Sequence, residues 1–244
     1  MIELLLPDWP LPAGVQLAIS CRGMASGGSA APWNQANLGL HVGDDAVQVQ
    51  SNRRQLQSQL TGVKQIQWLD QVHGNDCLTA VGADQALTAD ACVTRTAGLA
   101  CAVMTADCLP VLFAAQDGSC VAAAHAGWRG LAAGVLENTI AAMGLPASQL
   151  VAWMGPAIGQ DAFEVGPEVQ QAFAGAPQRC FRAGQGDRLQ ADIYGLARWR
   201  LQQAGIAEIW SENWCTVTQA EKFFSYRRDG QTGRMASLIW IDAG

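Results

Sequence analysis

A chain of 244 residues, half of them apolar and 15% charged, can bury a well-filled core and is neither disordered nor fibrous in composition. Its formal net charge of −6 is not that of a nucleic-acid or anionic-membrane surface, which wants clustered Lys and Arg. Met1 to Ser20 has no basic stretch ahead of its apolar residues, and no run reaches the ~18 to 20 uninterrupted apolar residues of a membrane span. A cytoplasmic protein is therefore expected. Its eight cysteines, none in a C-x-x-C pair, then read as reduced thiols that mostly serve as small buried hydrophobes.

In chain order, residues 23–37 are rich in Gly, Ser, Ala and Pro and read as a long surface loop. Residues 46–60 are polar with a weak helical pattern. Strand-like runs follow at residues 66–72, 77–81, 91–94, 99–105, 111–114 and 120–124. The spacing of Leu131, Val135, Leu136, Thr139, Ile140 and Met143 predicts a helix over residues 128–143. Residues 150–154 read as a strand running into Gly155-Pro156. A short helix over 166–173 is opened by Pro167. Another, over 191–204, has Asp192 near its start and Gly205 just past its end. Further strands are predicted at 206–210 and 235–241. The elements mix without regular alternation, which favours a single α+β or mixed α/β domain spanning residues 1–244 over a doubly wound sheet.

Only three histidines are present, so each can be weighed. His73 ends the apolar run that holds Trp68 and Leu69, and His125 stands where a strand of small residues turns into a helix. Cys108 lies where Asp107 and Pro110 interrupt an apolar run. All three are thus expected at strand ends or turns, where side chains are offered to a cleft. Taken singly, such a His is more often a hydrogen-bonded structural residue than a ligand and such a Cys is nearly always packing, and their spacing matches no zinc motif.

Other groups carry two readings each. On a regular strand Asp107 points away from the face of Cys108, but Pro110 suggests that the strand ends there, which leaves a proton-transfer role open. Arg129, in the first turn after His125, is an anion site at a helix N-terminus or a surface arginine. Arg227, Arg228 and Arg234 bind phosphate or are simply solvated. His41 is a candidate cleft-lining residue, and Gln71 a candidate hydrogen-bonding partner for substrate.

The words around these residues resemble the YfiH family, also called the laccase-domain or polyphenol-oxidase-like family. They are Trp68-Leu-Asp-Gln-Val-His73-Gly, Thr105-Ala-Asp-Cys108-Leu-Pro-Val-Leu and Ala124-His125-Ala-Gly-Trp-Arg-Gly130. Asn37-Leu-Gly-Leu-His41-Val-Gly-Asp, Gly155-Pro-Ala-Ile-Gly and Phe224-Ser-Tyr-Arg-Arg-Asp-Gly-Gln-Thr-Gly-Arg234 complete the set, in the family's order. The resemblance implies that His73, Cys108 and His125 bind a metal, usually zinc, with copper also reported. It further implies a YfiH-like mixed α/β domain related to cysteine-hydrolase-like folds. By the same resemblance, the substrates are purine nucleosides and phosphate. The reactions are phosphorolysis of adenosine, inosine, guanosine and methylthioadenosine, and deamination of adenosine. A monomer or homodimer is expected.

Two imidazoles and a thiolate leave the fourth position of a tetrahedral zinc open to water or substrate, the pattern of a catalytic site. Zinc lowers the pKa of water bound to it toward ~7. Three other readings use the same residues. A cysteine amidase, acting for example on a peptidoglycan precursor, takes Cys108 as nucleophile and His125 or His73 as base. A zinc-stabilised interaction module needs a fourth protein ligand, for which no motif offers a candidate. A multicopper oxidase needs far more histidines than the three present. The H-x-E and C-x-x-C signature of nucleobase deaminases is also absent from the chain.

Overall fold

The protein is described here by a computed structural model covering residues 1–25, 28–83, 85–212 and 214–244. The apolar strands Leu99–Thr105 and Met235–Ile241 pair antiparallel inside a five-stranded sheet. Its order is Ile2–Leu5, Val15–Met24, Met235–Ile241, Leu99–Thr105 and Gln65–Gln67, with only the last pairing parallel. A second sheet of six strands is ordered Glu208–Ser211, Leu150–Met154, Leu109–Ala115, Val121–Ala126, Ala91–Thr94 and Cys77–Thr79. Its three central pairings are antiparallel and its two outer pairings parallel.

The sheets pack face to face because each strand alternates its apolar side chains between two buried faces. Leu17, Ile19, Val103 and Ile239 of the first sheet meet Leu112, Ala114, Ala123 and Trp153 of the second. Residues of opposite parity point outward. Ala102, Met104 and Leu238 lie against Leu56 of the helix Ala46–Gln59. Val111, Phe113, Ala122 and Ala124 lie against Leu131, Leu136, Ile140 and Leu196 of the helices Trp128–Ala133, Val135–Met143 and Ile193–Gln203. The result is a mixed α/β architecture of two sheets between outer helices. Coverage on both faces explains why these strands read as continuous apolar runs.

Several boundaries differ from expectation. The helix expected over 128–143 is two helices, because Gly134 adopts φ 94° and breaks the ladder between them. The strand expected over 66–72 is two short pieces, Gln65–Gln67 and Leu69–Asp70, so His73 lies in a loop beyond them rather than at a strand end. Pro110 stands near the start of its strand, not at its end. Of the loop expected over 23–37, residues 23 and 24 close the strand Val15–Met24, while Ser26 and Gly27 lie outside the described residues. No helix among the described residues is long and apolar enough to cross a membrane.

Candidate metal centre and substrate cleft

Cys108 ends the bend at residues 106–108, which carries the chain from Leu99–Thr105 in one sheet to Leu109–Ala115 in the other. His125 is the penultimate residue of Val121–Ala126, opposite Pro110 in the pairing with Leu109–Ala115. The fold thus converges three loops and strand ends on one point. The ligating atoms of His73, Cys108 and His125 lie within 4.8 Å of one another. Cys108 Sγ is 3.8 Å from His73 Nε2, and the two imidazole rings meet edge to face.

The backbone here is unusual. Among the described residues, the non-glycine residues with positive φ are His73, at 61°, and Asp107, at 98°. Such conformations are costly and persist only where surrounding contacts impose them. For His73 the contacts come from Asp90, whose fully buried carboxylate accepts the N–H groups of Val72 at 3.2 Å, His73 at 3.0 Å and Gly74 at 2.6 Å. Asp90 also reaches Nδ1 of His125 at 2.8 Å, and its carbonyl accepts the His125 N–H at 2.7 Å. For Asp107, Thr216 donates its hydroxyl to Oδ1 at 2.6 Å, and the Arg227 N–H donates to Oδ2 at 2.7 Å.

Two glycines keep the centre open. A Cβ at Gly127 would stand 3.0 Å from both Cys108 Sγ and His73 Cδ2. One at Gly130 would stand 2.5 Å from the carbonyl oxygen of Gly74, in the loop that carries His73. With the Nδ1 of His125 held by Asp90, its Nε2 is the nitrogen left for a ligand role, the usual arrangement of a metal-binding histidine. One thiolate and two imidazoles in reach of a common point form a group that can hold a metal ion.

The charges agree with this geometry. Burial pushes the Cys108 thiol up, but His125 and then His73 outweigh it and bring it from 9.0 down to about 6. Burial pushes the His125 imidazole down, but the Cys108 thiolate and Asp90 raise it from 6.5 to about 9. For Asp90, burial is likewise outweighed, first by His125 and then by the N–H groups of Gly74 and Val72, so the carboxyl stays below its ordinary value.

The triad opens onto a cleft of about 610 Å³, a size suited to a small molecule. Ile158, Phe163, Val165, Val169 and Ile193 give it an apolar wall, and His41, Gln71, Arg129, Arg188, Arg227 and Arg234 also line it. Gln71 donates to the Met104 carbonyl at 2.8 Å and accepts its N–H at 2.7 Å, so its amide is largely committed to the backbone. His41 lines the cleft, where partial desolvation of its ring and then Arg234 hold its imidazole below the ordinary value. Arg129 is exposed, with its guanidinium 4.5 Å from the centroid of the Trp128 ring.

Arg228, a candidate phosphate ligand in the sequence, does not line the cleft. Its guanidinium is committed to the carbonyls of Thr216, Val217 and Phe223 and to Asp229. Arg227 lines the cleft but donates to the carbonyls of Ala162 and Glu164. Sequence reasoning missed Asp90. The available signal was an acid inside the apolar run Ala89-Asp90-Ala91-Cys92-Val93, where an unpaired charge is not tolerated.

The sequence and the fold have matching relatives. Residues 18–242 match the family described as multi-copper polyphenol oxidoreductase laccase, and the chain belongs to that family. The purine nucleoside phosphorylase YfiH of Escherichia coli strain K12 is 48% identical over 244 residues, covering 99% of this chain and all of that one. A crystal structure of the Neisseria meningitidis protein NMB0706 superposes with a TM-score of 0.93 at 47% identity, covering 98% of this chain and 99% of that one. YlmD from Geobacillus stearothermophilus gives 0.90 at 30% identity, over 98% of this chain and 96% of that one.

Proposed function

We propose that this chain is a cytoplasmic, zinc-dependent purine nucleoside enzyme with residues 1–244 as one catalytic domain. It splits adenosine, inosine, guanosine and methylthioadenosine with phosphate, releasing the free base and ribose or methylthioribose 1-phosphate. It also deaminates adenosine to inosine. The observation that carries this reading is the convergence of His73, Cys108 and His125 at a small-molecule cleft, in a chain 48% identical to a relative named purine nucleoside phosphorylase.

His73, Cys108 and His125 hold the zinc, which when bound supplies a Lewis acid that polarises the oxygen it meets. The chain's own groups do the rest. Asp90 fixes the tautomer of His125 and the path of the His73 loop. The wall formed by Ile158, Phe163 and Val165 takes the flat apolar faces of a purine. In phosphorolysis the bond from the anomeric carbon to the purine nitrogen breaks, a phosphate oxygen bonds to that carbon, and the departing base gains a proton. In deamination water adds at C6 and ammonia leaves. Asp107 has both carboxylate oxygens engaged, so its part is to hold the Cys108 turn.

Copper competes for the same donors. A multicopper oxidase reaction is disfavoured, because three histidines cannot supply its clusters. A second reading rests on one observation: Asp90, His125 and the low-pKa Cys108 form an orienting acid, a base and a nucleophile, the set that a cysteine amidase uses.

The test incubates metal-defined protein with each nucleoside, with and without phosphate, alongside Cys108→Ala and a chelated sample. Free base and sugar 1-phosphate formed only with phosphate, intact Cys108 and metal support the proposal. Loss of no activity on chelation, or no turnover of any nucleoside, defeats it and leaves the amidase reading.

A further inference from the structure

Three arginines stand close together in the C-terminal segment, and their hydrogen bonds set them apart. Arg228 is filled by three backbone carbonyls and Asp229. Arg227 spends both terminal nitrogens on the carbonyls of Ala162 and Glu164. Arg234 commits only Nη1, which donates to the carbonyls of Thr232 at 3.1 Å and Gly233 at 3.0 Å. Among the described residues, its Nε and Nη2 have no hydrogen-bond partner and no carboxylate forms an ion pair with it, although the Cys108 sulfur and the Asp107 carboxylate stand near enough to act on its charge. The acid nearest to mind, Asp107, is already taken by Thr216 and the Arg227 N–H.

The main chain that carries Arg234 is held in place, and the stem of its side chain packs closely. Asn37 Oδ1 accepts the Arg234 N–H at 2.9 Å and also the Gly39 N–H at 2.9 Å, while the Arg234 carbonyl accepts the Leu38 N–H at 3.1 Å. A Cβ at Gly39 would stand 2.8 Å from Arg234 Cγ, so the glycine lets the half-buried stem pass close over this turn. Arg234 lines the same cleft as His73, Cys108 and His125, and the Cys108 sulfur acts on its charge. A guanidinium with two free donor nitrogens, anchored by Nη1 and lining the cleft of the reactive centre, is an arrangement that binds a tetrahedral oxyanion.

We infer that Arg234 is the phosphate-binding residue of the cleft, receiving the oxygens of inorganic phosphate on Nε and Nη2. The inference rests on the proposed phosphorolysis for its biological sense, but phosphate binding itself can be measured without turnover.

The experiment titrates inorganic phosphate into the metal-loaded protein by calorimetry, and separately measures KM for phosphate with inosine. The variants are Arg234→Gln, Arg234→Lys and, as a surface control, Arg182→Gln, whose side chain pairs with Asp161. Arg234→Gln is expected to weaken phosphate binding roughly 10- to 100-fold, the loss of charge-assisted bidentate contacts. Arg234→Lys, which keeps the charge without the fork, is expected to fall between it and the wild type, and Arg182→Gln to match the wild type.

Phosphate affinity unchanged in both Arg234 variants, or no phosphate binding by the wild type, overturns the inference. If Arg234→Gln does not fold, Arg234→Lys alone is read in the same way. The two ideas fail separately. Wild-type phosphorolysis with a phosphate KM indifferent to Arg234 sinks this site alone. Arg234-dependent phosphate binding without turnover of any nucleoside sinks the proposed function alone.

Discussion

Asp90 and His125 are joined twice, by the carboxylate to Nδ1 at 2.8 Å and by the Asp90 carbonyl to the His125 N–H at 2.7 Å. The same carboxylate gathers three successive N–H groups around His73. One buried acid therefore orients two of the three candidate metal ligands, which sit 52 residues apart in sequence (125 − 73).

That double role predicts the phenotype of Asp90→Asn. The amide keeps one acceptor but loses the charge, and its NH₂ faces groups that also donate. Metal affinity is expected to fall about 10- to 100-fold, the usual cost of losing a ligand's carboxylate support. Unfolding in urea should show a loss of about 2–3 kcal/mol, since hydrogen bonds to a charged group are removed within the core. Competition against a chromophoric chelator measures the first. A variant that holds its metal as tightly as the wild type would refute the assignment.

The pair formed by Cys108 and His125 predicts a pH profile for the metal-free protein. The thiol lies near 6 rather than 9.0, so the thiolate fraction rises as pH rises through about 6. Alkylation of Cys108 by iodoacetamide, followed by peptide mass mapping, should reach half its limiting rate there, and bound metal should suppress it. A midpoint near 9 would show that the imidazoles do not act on this sulfur. Cys108→Ser supplies the baseline for the other accessible thiols.

The parts of this picture that were legible in the sequence are those with a local signature. The strands Leu99–Thr105 and Met235–Ile241 announce themselves as apolar runs, because both faces of their sheet are covered. The triad was legible from the words around it, not from spacing, since the fold unites a loop, a bend and a strand end. The strand Val15–Met24 was missed because its central residues, Leu17 to Cys21, are buried without alternation and include Ser20. Arg228 and Arg234 look equivalent in sequence. What separates them is the set of acceptors around Arg228, the Asp229 carboxylate and carbonyls of residues up to 12 positions away.

Gly127 gives a test of the space between the ligands. An alanine Cβ there would press on Cys108 Sγ and His73 Cδ2 at 3.0 Å, tighter than ordinary contact, while φ at this position is −62° and suits any residue. Gly127→Ala should therefore fold with near-native stability yet bind less than stoichiometric metal. Elemental analysis of the purified variant, beside its circular dichroism, separates the two effects. Full metal content would mean that the sulfur or the ring moves aside without cost.

Arg228 should matter for folding, not for substrate. Its guanidinium ties residues 216, 217 and 223 together, and its N–H is capped by Ser225 Oγ at 3.2 Å at the start of the helix Tyr226–Asp229. Arg228→Met keeps the bulk of the stem but strands those carbonyls, of which the ones at Thr216 and Phe223 belong to fully buried residues. About 2–4 kcal/mol of stability is expected to be lost, the range for breaking a buried hydrogen-bond network. The phosphate KM of the folded fraction should stay at the wild-type value, because no atom of Arg228 lines the cleft. Urea midpoints and steady-state kinetics on one preparation decide the matter. A raised phosphate KM with an unchanged midpoint would return Arg228 to the substrate and take that role from Arg234.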